Sequence, residues 1–178
     1  EDKVPLFNGG SETDLYQFDN YFSQVKLIKK NKKNTIGGLF HAKSKNQTLF
    51  FDVGNPPSKD FSKNYQSGPL SFEYFLDGMK IITNCGFGNN ISTKAELISR
   101  LTASQSTLTV NDTSITRFER SKLINRVFGN SIKNTFKTTN FDYTENKNEI
   151  GCSIIHNGYE KNFGTVHKRE IYLDKSNN

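Results

Sequence analysis

Apolar and polar residues alternate most clearly in residues 70–83, and this alternation predicts a β-hairpin. Every second residue from Leu70 to Leu76 is apolar, which is the period of a strand with one buried face. Asp77-Gly78 is a tight-turn sequence, and residues 79–83 form the returning strand. We therefore predict that one side of the hairpin carries the following core side chains: Leu70, Phe72, Tyr74, Leu76 and Ile81.

Shorter apolar stretches on both sides of this hairpin predict further strands. Residues 43–46 are polar and separate two of these strands as a turn. Asn157-Gly158 is the turn signal between the last two strands. Residues 130–148 are polar and give no clear strand pattern. The additional strands that the sequence predicts are 38–42, 47–53, 106–110, 115–119, 150–156 and 166–173.

Helical spacing of apolar residues is found in residues 93–103, with Thr93 as the expected N-cap and Glu96 three positions later. Many strands with one short helix predict an all-β fold, an antiparallel β-sandwich. The chain ends soon after its last predicted strand. We therefore expect an incomplete sandwich that is part of a larger protein.

The first 33 residues differ in pattern from the rest of the chain. They contain turn signals and aromatic residues without a long hydrophobic period, and they include a basic run, KLIKKNKK at 26–33, that we expect to be an exposed loop. We therefore divide the chain into a connector, residues 1–33, and a β-sandwich domain, residues 34–178.

Composition adds a basic balance to this picture. The 178 residues carry a formal net charge of +6 and a pI near 9.2, which favours anionic partners such as acidic polysaccharide, nucleic acid or anionic lipid. Lysines spread over a solvated surface are the simpler explanation. No apolar run approaches the length of a membrane span, so we expect no membrane insertion.

The sequence lacks the common motifs of nucleotide, hydrolase and metalloprotease sites. It contains no P-loop, no G-x-S-x-G, no H-E-x-x-H and no C-x-x-C pair. The two cysteines, Cys85 and Cys152, are too few and too far apart to indicate a disulfide framework. We expect two free and mostly buried thiols, with a single bridge as the alternative.

Several phrases, taken in their order along the chain, resemble the C-terminal β-domain of heparinase II/III-like polysaccharide lyases, in the branch found in alphaproteobacteria. Each phrase alone is a weak signal, whereas their common order is specific. The phrases are LFNGG (6–10), FFDVGNPP (50–57), YQSGPLSFE (65–73), IITNCG (81–86), LTASQSTLTVNDTS (101–114), HNGY (156–159) and FGTVHKRE (163–170).

The resemblance implies an activity and a larger architecture. Lyases of this kind cleave uronic-acid-containing chains by β-elimination, in which a base removes the proton alpha to the carboxyl group and an acid protonates the leaving oxygen. A tyrosine of an upstream α/α-toroid and a histidine of the β-domain share this work. Zinc or calcium, held by two histidines and a carboxylate, braces the β-domain of family members. We therefore expect an upstream toroid as the partner of this domain.

The positions that match the family's functional residues carry amides in this chain. Asn64 and Gln66 stand at the His-x-His pattern, where Asn64 takes the place of the catalytic histidine. Gln105 replaces the histidine of T-A-x-H, and Asn84 replaces an aspartate. Amides cannot act as bases near neutral pH and are poor zinc ligands. We therefore expect no catalytic residue and no metal, the metal-ligand positions being Gln66, Asn84 and Gln105.

The same amides, together with two arginines, are candidates for binding substrate. Amides offer donors and acceptors to sugar hydroxyls, and an arginine can pair with a uronate carboxylate through two hydrogen bonds. The alternative is that each residue satisfies local backbone groups, or in the case of Arg117 pairs with Asp112. The predicted substrate-binding residues are Asn64, Gln66, Asn84, Arg100, Gln105 and Arg117.

The histidines and Glu73 are given structural roles in preference to catalytic ones. We expect His41 at the surface and His156 stacked or hydrogen-bonded at the turn that follows it. For His167 a structural role is preferred over that of a general base. Glu73 is expected to be a buried carboxylate that is hydrogen-bonded to the sheet.

These inferences lead to one principal hypothesis and two alternatives. The principal hypothesis is the β-sandwich domain of a heparinase II/III-like lyase, inactive on its own, in the periplasm or cell envelope of a bacterium, with a cytoplasmic location left open. The first alternative is a non-catalytic acidic-carbohydrate-binding or scaffolding domain. The second is a basic β-sandwich that binds protein or nucleic acid, which charge alone favours. We expect an acidic polysaccharide as the partner and no nucleic acid.

Overall fold

The structure, a computed structural model, describes residues 4–10, 15–25, 34–121, 123–125 and 129–176. In these residues eight strands form two antiparallel sheets, one with the order β1-β2-β3-β4-β5 and one with the order β6-β7-β8. The predicted all-β class and antiparallel β-sandwich are therefore confirmed. The basic run at 26–33 lies outside the described residues, and the division into connector and domain stays a prediction.

Helices and short 3-10 turns connect the strands. The strands are β1 (Thr35–Ile36), β2 (Leu39–Ser44), β3 (Gln47–Asp52), β4 (Phe72–Leu76), β5 (Met79–Ile82), β6 (Thr138–Glu145), β7 (Glu149–His156) and β8 (His167–Asp174). The α-helices are α1 (Leu15–Val25), α2 (Thr93–Ser99) and α3 (Glu160–Phe163), and the 3-10 turns are Lys59–Phe61, Gly88–Asn90 and Thr102–Ser104. The structure describes no helix long and apolar enough to cross a membrane.

The main core lies between the two sheets. Apolar residues from alternate positions of both sheets meet there, as expected of sheets packed face to face. Arg169 on β8 binds two segments outside the first sheet, because its Nη1 donates to the Leu70 carbonyl at 2.6 Å and to the Ser106 carbonyl at 2.8 Å. The buried members of this core are Phe40, Ala42, Leu49, Phe51, Val53, Leu70, Ile150, Cys152, Ile154 and Leu173.

The hairpin forms where the alternation predicts it, but its buried side is only partly the predicted one. Leu70 is fully buried, whereas Phe72 and Tyr74 are half-buried against the main core. Glu73 and Phe75, on the opposite face of β4, are buried more completely. Segments outside the sheet cover that face, so both sides of the strand are buried rather than one.

The prediction that Ile81 is a core residue is wrong, because its side chain is 53 % exposed. Leu76 pairs with Met79 across the turn, but the register then shifts and Tyr74 pairs with Ile82. Ile81 is thus the extra residue of a β-bulge. A bulge displaces one side chain from the alternation, and the apolar pattern of the returning strand does not reveal it.

The two strands predicted within residues 106–119 are also wrong. Side chains take several of the backbone donors that a strand would give to a neighbour, and a single isolated bridge, Phe118 with Ile132, is left where a strand was predicted at 115–119. The Thr116 amide donates to Ser67 Oγ at 2.9 Å, and the Arg117 amide donates to Asn134 Oδ1 at 2.6 Å. Serine, threonine and asparagine compete with sheet hydrogen bonds in this way. The segment therefore follows an irregular path over a second, smaller core.

The second core lies beneath these irregular segments and supports the candidate site. It is separate from the core between the sheets and is built largely from aromatic and β-branched residues. The buried members are Tyr65, Ile115, Phe118, Ile132, Phe136 and Tyr159.

Several elements differ from the sequence-based expectation. The sequence did not predict α1, α3, β1 or β6. Residues 139–145 of β6 are exposed, so a buried-face alternation was not available to reveal that strand. Helix α2 begins at Thr93, but Ser92 is the N-cap, with its hydroxyl accepting from the Ala95 amide at 3.1 Å.

Cys85 and Cys152 are both free, and Cys85 is exposed rather than buried.

Candidate functional site

Gln66 and Gln105 converge on one backbone carbonyl. Gln66 Nε2 donates to the Ser99 carbonyl at 2.9 Å and to the Gly86 carbonyl at 2.7 Å. Gln105 Nε2 donates to the same Ser99 carbonyl at 2.7 Å. Both glutamines are buried. Their side chains therefore hold α2, which ends at Ser99, against the loops that precede β4 and follow β5.

Asn84 extends this group of amides. Its Oδ1 accepts from the Ser106 amide at 3.0 Å and from the Ser106 hydroxyl at 3.1 Å. Its Nδ2 is buried and has no hydrogen-bond partner among the described residues. We call Gln66, Asn84 and Gln105 the amide cluster. The structure thus brings together the three residues that the sequence places at the family's metal-ligand positions.

The amide cluster does not fit a metal ion. The amide oxygen of Gln66 accepts from the Gly9 amide at 3.0 Å, and that of Asn84 accepts from Ser106. These oxygens are therefore turned toward backbone donors. Among the described residues, no group of three His, Cys, Asp or Glu side chains is placed to hold a metal. Because the three residues are buried, a sugar hydroxyl at the surface does not reach them either, so the hypothesis that they bind substrate is not supported.

Glu73 anchors the segment that precedes α1. Its Oε1 accepts from the Asn84 amide and from the Thr83 hydroxyl, both at 2.9 Å. Its Oε2 accepts from the Leu6 amide at 3.1 Å. Glu73 is fully buried, so the expected burial of its carboxylate is confirmed. Its hydrogen bonds go to segments outside the strands and not, as predicted, to the sheet itself.

Asn64 lies apart from the amide cluster and is exposed. It lines a small cleft of about 280 Å³ together with Asn8, Asn55 and Tyr65. A Cβ atom on Gly9 would come within 2.8 Å of Asn64 Cβ, so Gly9 allows the N-terminal segment to lie directly against this position. Because its side chain is exposed beside this segment, Asn64 can still contact a ligand at the surface.

Asp52 is a titratable residue that the sequence reasoning did not single out. It is buried at the end of β3, and burial raises the pKa of its carboxyl group to about 7, although the Gly54 amide donates to it at 3.0 Å. Burial and, to a smaller extent, the charge of Asp52 raise the pKa of Tyr65 well above its usual range. The signal in the sequence that could have identified Asp52 was its place in the phrase FFDVG, directly after an apolar strand.

Arg100 has a structural role, which corrects its assignment as a carboxylate-binding residue. It is fully buried. Its Nε donates to the Tyr65 carbonyl and its Nη2 to the Ser62 carbonyl, each at 2.8 Å. The guanidinium carbon lies 4.0 Å from the centre of the Phe118 ring. Burial lowers the pKa of Arg100 to about 10.

Arg117, in contrast, is exposed at the surface. It lines a cleft of about 430 Å³ that also contains Lys137 and Lys161. Both lysines are exposed. The sequence named Arg117 but not these lysines, because residues from three separate segments form the cleft. Of the predicted substrate-binding residues, Asn64 and Arg117 are therefore the two with exposed side chains.

His156 and His167 form a buried pair. Their Nε2 and Nδ1 atoms are 3.0 Å apart. His156 Nδ1 accepts from the Gly158 amide at 3.0 Å, so the proton of the neutral ring is on Nε2, and His156 donates to His167. Burial lowers the pKa of His156 to about 3 and that of His167 to about 4. The turn contact expected for His156 is confirmed, and His41 is exposed as expected.

Comparison with known proteins places this geometry in a family. Residues 32–178 match the sequence profile of the C-terminal part of heparinase II/III-like proteins. The chain belongs to the heparinase II/III-like family. No curated protein matches the chain significantly.

Solved structures share the fold of this heparinase II/III-like domain. Heparan sulfate lyase HepC from Pedobacter heparinus aligns with a TM-score of 0.65 and 15% identity, over 97% of this chain and 28% of that one. The heparinase III BT4657 gene product aligns with a TM-score of 0.63 and 13% identity, over 96% of this chain and 27% of that one. The heparinase II/III-like chain described here thus spans less than a third of the length of these proteins.

Proposed function

We propose that this heparinase II/III-like domain is a binding wall for a uronic-acid-containing polysaccharide and does not supply the base for β-elimination. The observation that carries the proposal is the amide cluster. Gln66, Asn84 and Gln105 stand together at the family's positions, with their amide groups engaged by the Ser99 carbonyl and by Ser106. A family member with this cluster retains the fold of the domain without its imidazole chemistry.

The chemistry of β-elimination supports the proposal that this domain does not supply the base. The base must accept a proton from carbon at near-neutral pH, and an amide does not do so. Asn64, at the position of the family's catalytic histidine, is exposed but is also an amide. His156 and His167 are buried in contact with each other. We therefore assign catalysis, in the longer protein, to groups outside these 178 residues.

The proposal that this domain binds a uronic-acid-containing polysaccharide rests on family membership and on charge. The chain carries a net charge of +6, and uronic-acid polymers are polyanions, so attraction is favourable and sensitive to salt. Asn64 and Arg117 are the exposed members of the substrate-binding set. A binding wall in the periplasm or cell envelope of a bacterium, working with an upstream toroid, is the arrangement that we propose.

Incubation of the purified 178-residue chain with heparan sulfate and with an unsulfated uronan tests this function. We expect saturable binding to the acidic glycans, no binding to the neutral glucan dextran, and no absorbance from unsaturated uronate products. Product absorbance would overturn the proposal that this domain does not supply the base. Equal binding of dextran and the acidic glycans, or binding of neither, would overturn the proposal that it binds an acidic polysaccharide.

A further inference from the structure

Three cations line one cleft of the domain. Arg117, Lys137 and Lys161 border a space of about 430 Å³, and all three are exposed. Glu160 is the single carboxylate among the described residues that line it. We call this space the cationic cleft. Its excess of positive charge, set in a concave surface, attracts anions more strongly than the same charges on a flat surface would.

The three cations are not neutralised within the described part of the chain. None of them forms an ion pair with a described carboxylate, whereas lysines elsewhere do, such as Lys133 with Glu119 at 3.2 Å. Glu160 is itself engaged, because its Oε2 accepts from Asn157 Nδ2 at 3.3 Å. The positive charge of the cationic cleft is therefore directed to solvent or to a ligand.

Two asparagines fix the backbone that carries the cations. Asn134 Oδ1 accepts from the Arg117 amide at 2.6 Å, and its Nδ2 donates to the Ile115 carbonyl at 2.8 Å. Asn157 Oδ1 accepts from the Lys137 amide at 2.8 Å. The separate segments are thus joined at the cleft before any ligand binds. A preformed site loses less conformational entropy on binding.

We infer that the cationic cleft binds the sulfate or carboxylate groups of an acidic saccharide, an inference that rests on the proposed function for the nature of the ligand. The guanidinium of Arg117 presents paired donors that match two oxygens of one anionic group. Lys137 and Lys161 add point charges, and the amides of the lining offer partners for hydroxyls. Sulfate esters and uronate carboxylates share the anionic oxygens that these groups recognise.

Two charge-matched triple variants test the inference. The cleft variant is Arg117→Ala/Lys137→Ala/Lys161→Ala, and the control variant, Lys43→Ala/Lys63→Ala/Lys147→Ala, removes the same charge from exposed positions elsewhere. Calorimetric titration uses a sulfated heparin-type hexasaccharide and the same hexasaccharide after desulfation. Thermal melts verify that both variants remain folded.

We expect the cleft variant to lose at least about tenfold in affinity, as loss of charge-assisted hydrogen bonds predicts, and the control to lose about twofold. A loss confined to the sulfated ligand identifies sulfate as the group bound, and an equal loss for both ligands identifies carboxylate. Equal losses in the two variants would overturn the inference, because the attraction would then be diffuse.

Inorganic sulfate separates failure of the inference from failure of the proposed function. If the wild-type chain binds neither hexasaccharide but sulfate shifts the backbone resonances of Lys137 and Asn157, the anion site stands and the saccharide function fails. If the hexasaccharides bind without shifting these resonances, the saccharide function stands and the cleft assignment fails. If no ligand shifts or binds, both are wrong.

Discussion

His156 donates its Nε2 proton to His167 Nδ1 across 3.0 Å in the interior of the domain. Neither ring can gain a proton without placing a charge in an apolar environment, and His167 has the Arg169 cation nearby. Burial therefore lowers the pKa of both, to about 3 for His156 and about 4 for His167. This pair makes the stability of the fold dependent on pH.

The direction in which stability changes with pH follows from the number of protons that the folded and unfolded states bind. An unfolded histidine takes up a proton below its ordinary pKa of 6.5, whereas the folded pair does so only near pH 4. Asp52, whose pKa burial raises from 3.8 to about 7, contributes a slope of the opposite sign, because its folded carboxyl holds a proton that the unfolded one releases. The contribution of the histidine pair to the free energy of unfolding should be constant above pH 7 and fall as pH decreases from 6.5 to 4, by up to about 1.4 kcal/mol per pH unit for each ring. Urea unfolding at a series of pH values measures this slope. His167→Gln should reduce it strongly, and His41→Gln should reduce it less, because burial and the nearby Lys43 lower the pKa of this more exposed ring without a buried partner histidine.

Phe51→Ala should cost about 3–5 kcal/mol of unfolding free energy, because a fully buried ring between the sheets leaves a cavity. Phe51 is 0% exposed, whereas Phe61 is 83% exposed. The matched control Phe61→Ala should change stability by less than about 0.5 kcal/mol. Chemical denaturation measures both. A cost for Phe51→Ala no larger than that of the control would contradict the packing of the two sheets.

The two arginines that the sequence paired as carboxylate binders should behave differently. Arg100→Ala should lower the unfolding free energy by about 3 kcal/mol or more, because it leaves the buried carbonyls of Ser62 and Tyr65 without their donors. Arg117→Ala should change it by less than about 0.5 kcal/mol, as expected of an exposed side chain. Thermal and urea unfolding of the two variants provide the comparison. Similar costs for both would contradict the assigned roles.

Gln66→Met should release the N-terminal segment. The substitution keeps the side-chain length but removes the acceptor of the Gly9 amide and the donors to Gly86 and Ser99. We expect a cost of about 2 kcal/mol or more and faster hydrogen exchange at Gly9. Gln105→Met is the control, because Gln66 still donates to the Ser99 carbonyl in that variant. Exchange at Gly9 that is equally slow in both variants would disprove the anchor.

The sequence predicted those strands whose residues show a clear apolar alternation or an apolar run bounded by turn residues. The hairpin at 70–83 formed because alternation and the Asp77-Gly78 turn both favour it, with positive φ angles of 50° and 74° at these two residues. Strand β6 was missed because its residues are mostly exposed and give no such period. Residues 115–119 were assigned to a strand from a short apolar stretch, whereas distant side chains take the backbone donors of Thr116 and Arg117.

The sequence was sufficient to predict which residues form the candidate site, but it did not predict whether these residues are buried or exposed. Family phrases led to Gln66, Asn84 and Gln105, and the structure brings them together. Their burial could not be inferred, because it depends on Ser99 at the end of α2 and on Ser106. The cationic cleft could not be inferred either, since Arg117, Lys137 and Lys161 are distant in sequence and meet only through the packing of irregular segments.

The bonds from Arg169 to Leu70 and Ser106 have a consequence for synthesis. Residues 35–82 hold every strand of the first sheet, and residues 138–174 hold the second sheet, which covers its inner face. At translation rates of ~5–20 residues per second, several seconds separate the two. During this interval the rings of Phe40 and Phe51 have no covering sheet. From the order of the strands along the chain we therefore expect the nascent domain to need protection from aggregation while it is being made.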